Sequence, residues 1–366
     1  MTWQDDSRRL GSAAFRGVRA LRPVEHVDAA VHPERLSAGG FWVVVGSFEG
    51  RIDAWRFADV ERLPRVGEAE ARERRWRGPA ASSWDSSLGM SRYMDGVEAI
   101  RADIREGNVY QANLCRVLSA RLPSSAPGPD AVALSHVLSR GNPARHAARI
   151  VIPASDAMPG TWIVSASPEL YLRVDGDTVT SSPIKGTSAP GKPMLEKDRA
   201  ENVMITDLIR NDLSHVAVPG SVDVPELLGL HEHPGLTHLH STVTARLAPG
   251  FDWTSSMWGA LLQGTFPPGS VSGAPKKSAL EIIAREEPVP RGPYCGAIGW
   301  IDADSREAEL AVGIRTFWWN DDDGGTLRFG TGAGITWGSE PFAEWEETEL
   351  KARRLIGLAS TDTMST

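Results

Sequence analysis

Cysteine is scarce in this chain. Cys115 and Cys295 are the only two in 366 residues. That leaves no disulfide framework, too few thiolates for a structural zinc site, and a pattern suited to a reducing compartment. Long hydrophobic runs are missing as well. No apolar stretch approaches the ~18 residues that would span a bilayer. Met1 to Arg9 is polar and charged, without the apolar core of a secretory leader. The expectation is a cytoplasmic protein with no membrane association. Basic charge is not in excess either. A net charge of -8 argues against a broad nucleic-acid surface, yet leaves room for a local cationic pocket around a small anion. There is no P-loop, no serine-hydrolase elbow and no nucleic-acid module.

What remains is ordinary globular composition, 41% hydrophobic and 23% charged, in a chain long enough for one large or two intertwined domains. The thirteen tryptophans read as core and lid packing. No internal repeat is visible. The pattern predicts a strand at Phe41 to Phe48, Arg/Glu-rich loops at Glu68 to Arg77 and a Ser-rich linker at Ala80 to Gly89. Tyr93, Val97, Ile100 and Ile104 recur with helical spacing up to Gly107. Pro123 to Asp130 is a loop by composition. Leu172 to Thr180 alternates around the turn signal Asp175-Gly176. Helices are expected at Glu196 to Leu213, Ser278 to Glu287 and Pro341 to Leu358, the last with Ser339 as N-cap. Strands are expected at Glu309 to Trp318 and Thr326 to Gly332, joined by Asp321 to Gly325. Elements come in blocks rather than strict alternation, which favours an α+β architecture with large antiparallel sheets. The domain reading is an N-terminal segment, 1–85, contributing to the sheet core, a catalytic domain, 86–360, and a tail, 361–366.

Several residues could carry chemistry. Glu344, Glu347 and Lys351 share one helical face. This is either a solvated ion-pair stripe or a functional wall. The helix follows Gly330-Thr331-Gly332-Ala333-Gly334, whose closely spaced glycines let backbone N–H groups approach an anion such as a carboxylate. On the preceding strand Ala311, Gly313 and Arg315 share a face, small residues beside one bidentate anion clamp; a structural salt bridge is the alternative for Arg315. Asp198 and Glu201, three apart on another helix, are solvated acids or, with Glu347, ligands for Mg²⁺. Lys185 lies between Ile184 and Gly186. It is a surface lysine or, if buried near cations, a nucleophile. The imidazoles of His231, His233, His238 and His240 cluster in sequence, but their spacing matches no standard zinc pattern.

Taken together, GNVYQANL (107–114), SPEL (167–170), PIKGT (183–187), EKDRAENVMITDLIRNDL (196–213), PGSVDVPEL (219–227), HLHST (238–242), PPGSVSGAPK (267–276), RGPYCGAIG (291–299), GIRT (313–316) and GTGAGI … AEWEETELKA (330–352) resemble the chorismate-utilising enzymes. That family comprises anthranilate synthase component I, aminodeoxychorismate synthase component I, and the isochorismate and salicylate synthases. The first ~85 residues match it loosely. The resemblance implies an anthranilate synthase component I-like fold, two large, mostly antiparallel sheets enclosing a cleft with helices outside. It implies Mg²⁺ on Glu201 and Glu347, with Asp198 and Glu344 close by. Gly332, Gly334 and Lys351 would receive the ring carboxylate of chorismate. Tyr294 and Arg315 would hold the enolpyruvyl carboxylate, Thr187 would contact substrate, and His238 would be a general acid at the departing hydroxyl, which displaces the zinc reading.

Two positions sort the family. Members that add water resemble one another in carrying a lysine base where this chain has Gln111, so Gln111 points to amination. At the third position of PIxGT, anthranilate synthases typically carry alanine and aminodeoxychorismate synthases lysine. Lys185 therefore implies a covalent adduct at C2, followed by ammonia at C4. Departures from the family pattern are Ser182, Ser272 and Asn108, and a short N-terminal part. With no glutaminase recognisable in the chain, a separate glutamine amidotransferase subunit is expected to supply ammonia, and a downstream aminodeoxychorismate lyase to release 4-aminobenzoate. Sibling activities, anthranilate synthase component I or 2-amino-2-deoxyisochorismate synthase, and a non-catalytic chorismate- or tryptophan-binding regulator are the alternatives. Intact Glu201, Glu347, Lys351 and Arg315 speak against the regulator.

Overall fold

Every strand pairing in the computed structural model is antiparallel; the structure describes residues 11–63, 74–125, 127–188, 193–194, 196–233 and 236–361. The pairings form two long runs. In one, Val18–Asp28, Ser12–Phe15, His146–Ile152, Thr161–Ser167, Thr316–Asn320, Thr326–Ile335 and Gln111–Arg121 lie side by side. In the other, the order is Ile52–Arg62, Phe41–Gly46, Ala297–Asp302, Glu307–Val312, Leu170–Asp175, Thr178–Ser182 and Leu236–Arg246. Asp223–His233 and Ile184–Ser188 flank that last strand on opposite sides. The runs are joined where Val18–Asp28 pairs with Ile52–Arg62, so the two halves form one hydrogen-bonded network.

Burial explains the strand types. Phe41–Gly46 is buried at every residue, a Val-rich central strand. His146–Ile152 alternates buried and half-buried residues, the mark of one covered face. Helices cover the sheets from outside: α1 (Met90–Arg105), α2 (Ala131–Gly141), α3 (Glu196–Ser214), α4 (Met257–Thr265), α5 (Lys276–Glu286) and α6 (Pro341–Ala359). Leu134 and Leu138 of α2 meet Ala352 and Leu355 of α6 over Phe317, Leu327 and Phe329. Tyr93, Val97 and Ile100 of α1 meet Ala279 and Ile282 of α5 over Leu114 and Ile335. Seven tryptophans, Trp42, Trp55, Trp76, Trp162, Trp258, Trp318 and Trp319, are buried, as expected for core packing. No helix among the described residues is long and apolar enough to cross a membrane.

The expected α+β architecture is therefore present, with four local corrections. The strand expected over Glu309 to Trp318 is two strands. The chain breaks at Gly313–Arg315, with Arg315 at φ 52°, and passes from one run to the other. Ala80 to Gly89 is not a free linker: Asp85–Ser86 pairs with Gln111–Arg121. Ser339 does not cap α6. Glu340 holds that position, and the Ser339 hydroxyl accepts from the Thr336 N–H instead. Helix α2, started by Asp130 accepting from the Val132 and Ala133 N–H groups, falls next to the predicted loop and went unpredicted. Parts of the Glu68 to Arg77 loop and of the 361–366 tail lie outside the described residues.

Candidate active site

Helix α3 packs on Leu236–Arg246 and Ile184–Ser188. Its contact face runs through Asn202, Ile205, Thr206, Ile209 and Leu213. Asn202 fixes the register, accepting from the Ser241 hydroxyl and donating to the Leu239 carbonyl. Asp198 and Glu201 extend this face one turn toward the helix N-terminus, so packing aims both acids at the strand that carries Lys185. Asp198 lies over Gly186: a Cβ at that glycine would come 2.7 Å from the Asp198 Cβ. The Glu201 side chain is 12% exposed, with its carboxylate 3.9 Å from Lys185 Nζ and 3.8 Å from Lys197 Nζ. Burial pushes its carboxyl above the ordinary range. Lys185 and Lys197 oppose this, while the nearby Glu347 and Asp198 reinforce it.

Helix α6 supplies the second acidic wall. Its buried stripe is Glu344, Thr348, Ala352, Leu355 and Ala359, so Glu344 occupies a position where the pattern calls for an apolar residue. One Glu344 oxygen accepts from Lys197 Nζ at 2.7 Å, and the other is buried with no hydrogen-bond partner among the described residues. Glu347 and Lys351 stand at the rim as an ion pair of 2.6 Å, both about half exposed. Taken alone that pair is worth little. Burial acts to raise the Glu347 carboxyl, but Lys351, with Lys197 and Lys185, outweighs it and holds it below its ordinary value.

Opposite α6 runs the glycine-rich strand. Lys351 Nζ donates to the Gly332 carbonyl at 3.0 Å. In an antiparallel strand the N–H and C=O of one residue leave on the same edge. The Gly332 N–H, and the Gly334 N–H two residues on, therefore face the Lys351 side as well. The glycines also admit close neighbours. A Cβ at Gly330 would strike the Tyr294 ring at 2.0 Å, one at Gly332 the Cys115 Sγ at 2.5 Å, and one at Gly334 the Gln111 Nε2 at 2.3 Å.

Between the acidic walls lies Lys185, its side chain 13% exposed. Its charged neighbours include Glu201 and Glu169, carboxylates rather than the cations on which the nucleophile reading was conditional. Glu169, the acid of SPEL, joins the site although no sequence spacing singles it out. It is buried, accepts from the Ser270 hydroxyl, and feels both Lys185 and Arg315. Burial nevertheless pushes its carboxyl up to about 7. A lone acid beside an apolar strand is the signal that could have marked it. Burial lowers the Arg315 guanidinium, and Glu169 opposes that. The left-handed backbone of Arg315 places this residue at the crossing between the sheet halves.

The remaining candidates are distributed around this centre. Gln111 is fully buried, with an amide oxygen that has no partner among the described residues. His238 is 2% exposed and lies opposite the Thr187 backbone. Tyr294 is buried against Gly330, its hydroxyl toward Cys115, and both cysteines are free. A cavity of about 720 Å³ elsewhere, lined by Ser47, Asp53, Trp55, Ser119 and Trp318 among others, holds none of these groups. The acids do not yet close on one point, because Lys197 stands between Glu201 and Glu344. A buried carboxylate oxygen without a partner, beside further acids from a second helix, nonetheless suits a hard, oxygen-seeking cation.

The architecture and this cleft define a class: an α+β fold in which two acidic helices face a lysine, an arginine and an open glycine edge. A family model for chorismate binding enzymes matches residues 52–357, and the chain belongs to that family. It is 35% identical over 286 residues to anthranilate synthase component 1 of Saccharolobus solfataricus, covering 75% of this chain and 63% of that one. It is also 35% identical over 287 residues to aminodeoxychorismate synthase component 1 of Salmonella typhimurium, covering 75% and 59%. The chain thus spans about three-fifths of the length of these two relatives. The corresponding Klebsiella aerogenes protein is 34% identical over 365 residues, 94% of this chain and 76% of that one. Among solved structures, anthranilate synthase component I of Streptococcus pneumoniae superposes with a TM-score of 0.73 at 21% identity, covering 94% and 92%. The menaquinone-specific isochorismate synthase of Escherichia coli gives 0.75 at 17%, covering 96% and 89%.

Proposed function

We propose that this protein is an aminodeoxychorismate synthase component, which aminates chorismate at C4 with ammonia from a glutamine amidotransferase partner. The observation that carries this reading is Lys185, nearly buried in the acidic cleft and 3.9 Å from Glu201. Arg315 and Tyr294 would take the enolpyruvyl carboxylate, and the Gly332 and Gly334 N–H groups with Lys351 the ring carboxylate. Glu201 and Glu347, with Asp198 and Glu344 close by, would hold Mg²⁺, which would supply Lewis-acid stabilisation of the departing C4 oxygen. Lys185 Nζ bonds to C2, the ring double bonds shift, and the C4–O bond breaks. The carboxyl of Glu169, titrating near neutrality beside Lys185, can accept the ammonium proton as an anion or deliver one as an acid. His238 is the second proton donor for the departing hydroxyl. Ammonia then bonds to C4, the double bonds shift back, and the C2–N bond breaks to restore Lys185. Two allylic displacements replace one difficult substitution. Gln111, a neutral amide, orients the nucleophile without having to deprotonate water. Thr187 would complete the substrate contacts. The product would pass to an aminodeoxychorismate lyase, toward 4-aminobenzoate.

The test is Lys185→Ala. The 4-amino product should be lost, and amination at C2 becomes the available route. Unchanged 4-amino product in this variant overturns the covalent role. Because relatives at the same identity include anthranilate synthases, the second reading is anthranilate formation. It predicts a 2-amino product from the unaltered chain.

A further inference from the structure

Among the described residues, one cluster outside the acidic cleft brings three metal-ligating side chains together. Glu226, His231 and His240 have ligand atoms that all lie within 4.8 Å of one another. His231 Nε2 is 2.9 Å from one Glu226 oxygen, and His240 Nδ1 is 3.1 Å from the other. The two imidazoles face each other with centroids 4.5 Å apart and planes 30° apart.

Sequence spacing hid this arrangement. Glu226 and His231 are five apart on one strand, and an odd separation puts side chains on opposite faces of a regular strand. Here the strand bulges. From Glu226 to Gly229 it advances three residues while its partner advances two, from Thr242 to His240. The extra residue restores the parity and turns both side chains to one face. Leu228 carries the kink at φ 59°, a left-handed conformation unusual for leucine. Its N–H is held by the Ser241 hydroxyl. Gly229 completes the slot, since a Cβ there would meet the Glu226 carboxylate at 2.3 Å. His240 reaches the same face from the neighbouring strand, opposite Gly229. The bland reading is a carboxylate bridging two imidazoles by hydrogen bonds. That reading accounts for the distances but does not call for a bulge and a glycine slot.

We propose that Glu226, His231 and His240 form a second metal site, selective for a late first-row divalent ion such as Zn²⁺ over Mg²⁺. Two imidazoles and one carboxylate suit zinc, whereas Mg²⁺ takes oxygen donors almost exclusively. Ligand atoms around a tetrahedral ion with bonds of ~2.0–2.1 Å lie about 3.4 Å apart; the imidazoles stand 2.9 and 3.1 Å from the two Glu226 oxygens, and the three-atom set, within 4.8 Å, closes on one oxygen by a small rotation of the carboxylate. Glu226 and His231 are 39% and 30% exposed, which leaves the fourth position to water. The site does not depend on the reaction proposed above.

Calorimetric titration of Zn²⁺ into the chelator-treated full chain, with Mg²⁺ in excess to occupy the acidic cleft, should show one Zn²⁺ per chain. His231→Gln and His240→Gln should each weaken it by more than the roughly 10- to 100-fold that loss of an outer-shell partner costs. Glu344→Gln should leave it unchanged. Co²⁺ in place of Zn²⁺ should give the visible absorption of a four-coordinate, nitrogen-ligated ion, lost in His231→Gln, whose half-exposed position makes little demand on folding. Equal Zn²⁺ binding by the histidine variants, loss of binding in Glu344→Gln, or no stoichiometric binding to the unaltered chain would each overturn the proposal.

Discussion

Replacing Glu169 by glutamine probes the cleft through a group whose environment is well defined. The side chain is 4% exposed, and its carboxyl is pushed up to about 7 from an ordinary 4.5. That rise corresponds to about 3 kcal/mol between protonation states. The sign follows from proton linkage. The folded chain binds this proton more tightly than the unfolded chain, so the associated stability is fully present below pH ~4.5 and is lost as pH rises through ~7. Glutamine keeps the shape and an acceptor for the Ser270 hydroxyl but cannot ionise. Denaturant melts should therefore show the variant gaining up to ~3 kcal/mol relative to the unaltered protein between pH 5 and pH 8.5. Turnover, followed as Mg²⁺-dependent loss of chorismate by mass spectrometry, should fall by about 10²–10⁴-fold, the usual contribution of a positioned acid or base. The limb of the pH–rate profile that Glu169 controls should disappear. A variant with near-normal kcat and an unchanged pH profile refutes a proton-transfer role. An unchanged pH dependence of stability refutes the raised carboxyl itself.

Three further outcomes follow. Glu344→Gln removes the charge from the α6 stripe whose second oxygen lacks a partner; apparent Mg²⁺ affinity in the chorismate assay should drop by about 10- to 100-fold, with the fold intact by circular dichroism. Arg315→Lys exchanges a planar fork for a point charge and should raise KM for chorismate roughly 10-fold or more while Mg²⁺ dependence stays the same. Gly334→Ala drives a Cβ to within 2.3 Å of Gln111 and should cost about 1–3 kcal/mol as overpacking, read by thermal melting, together with lost turnover.

The fold was legible where periodicity was strong. Tyr93 to Ile104, Glu196 to Leu213 and Pro341 to Leu358 carry their helical stripes openly, and each helix forms within three residues of its expected ends. Arg315 shows where pattern misleads. Small and large residues alternate through Glu309 to Trp318 as in one strand, but the chain changes sheet at Gly313–Arg315, a tertiary event with no local signature except the glycine. Glu344 and Glu347 share one helical face by spacing, and the structure separates them into a buried acid and a rim ion pair. That difference depends on how α6 packs on the glycine strand. Glu169 escaped because burial, not spacing, gives a carboxylate its chemistry. The Glu226–His231–His240 cluster escaped because a bulge reverses the parity on which strand reading rests. The roles of Lys185 and Gln111 came from family resemblance, and geometry adds their surroundings.

The most direct test of the central claim is the product of the unaltered protein. Chorismate, Mg²⁺ and ammonium salt at mildly alkaline pH are incubated with the purified chain, with and without added aminodeoxychorismate lyase, and read by mass spectrometry. The account predicts a 4-amino product that yields 4-aminobenzoate only when the lyase is present. Anthranilate or a 2-amino product would contradict C4 amination and the part assigned to Lys185.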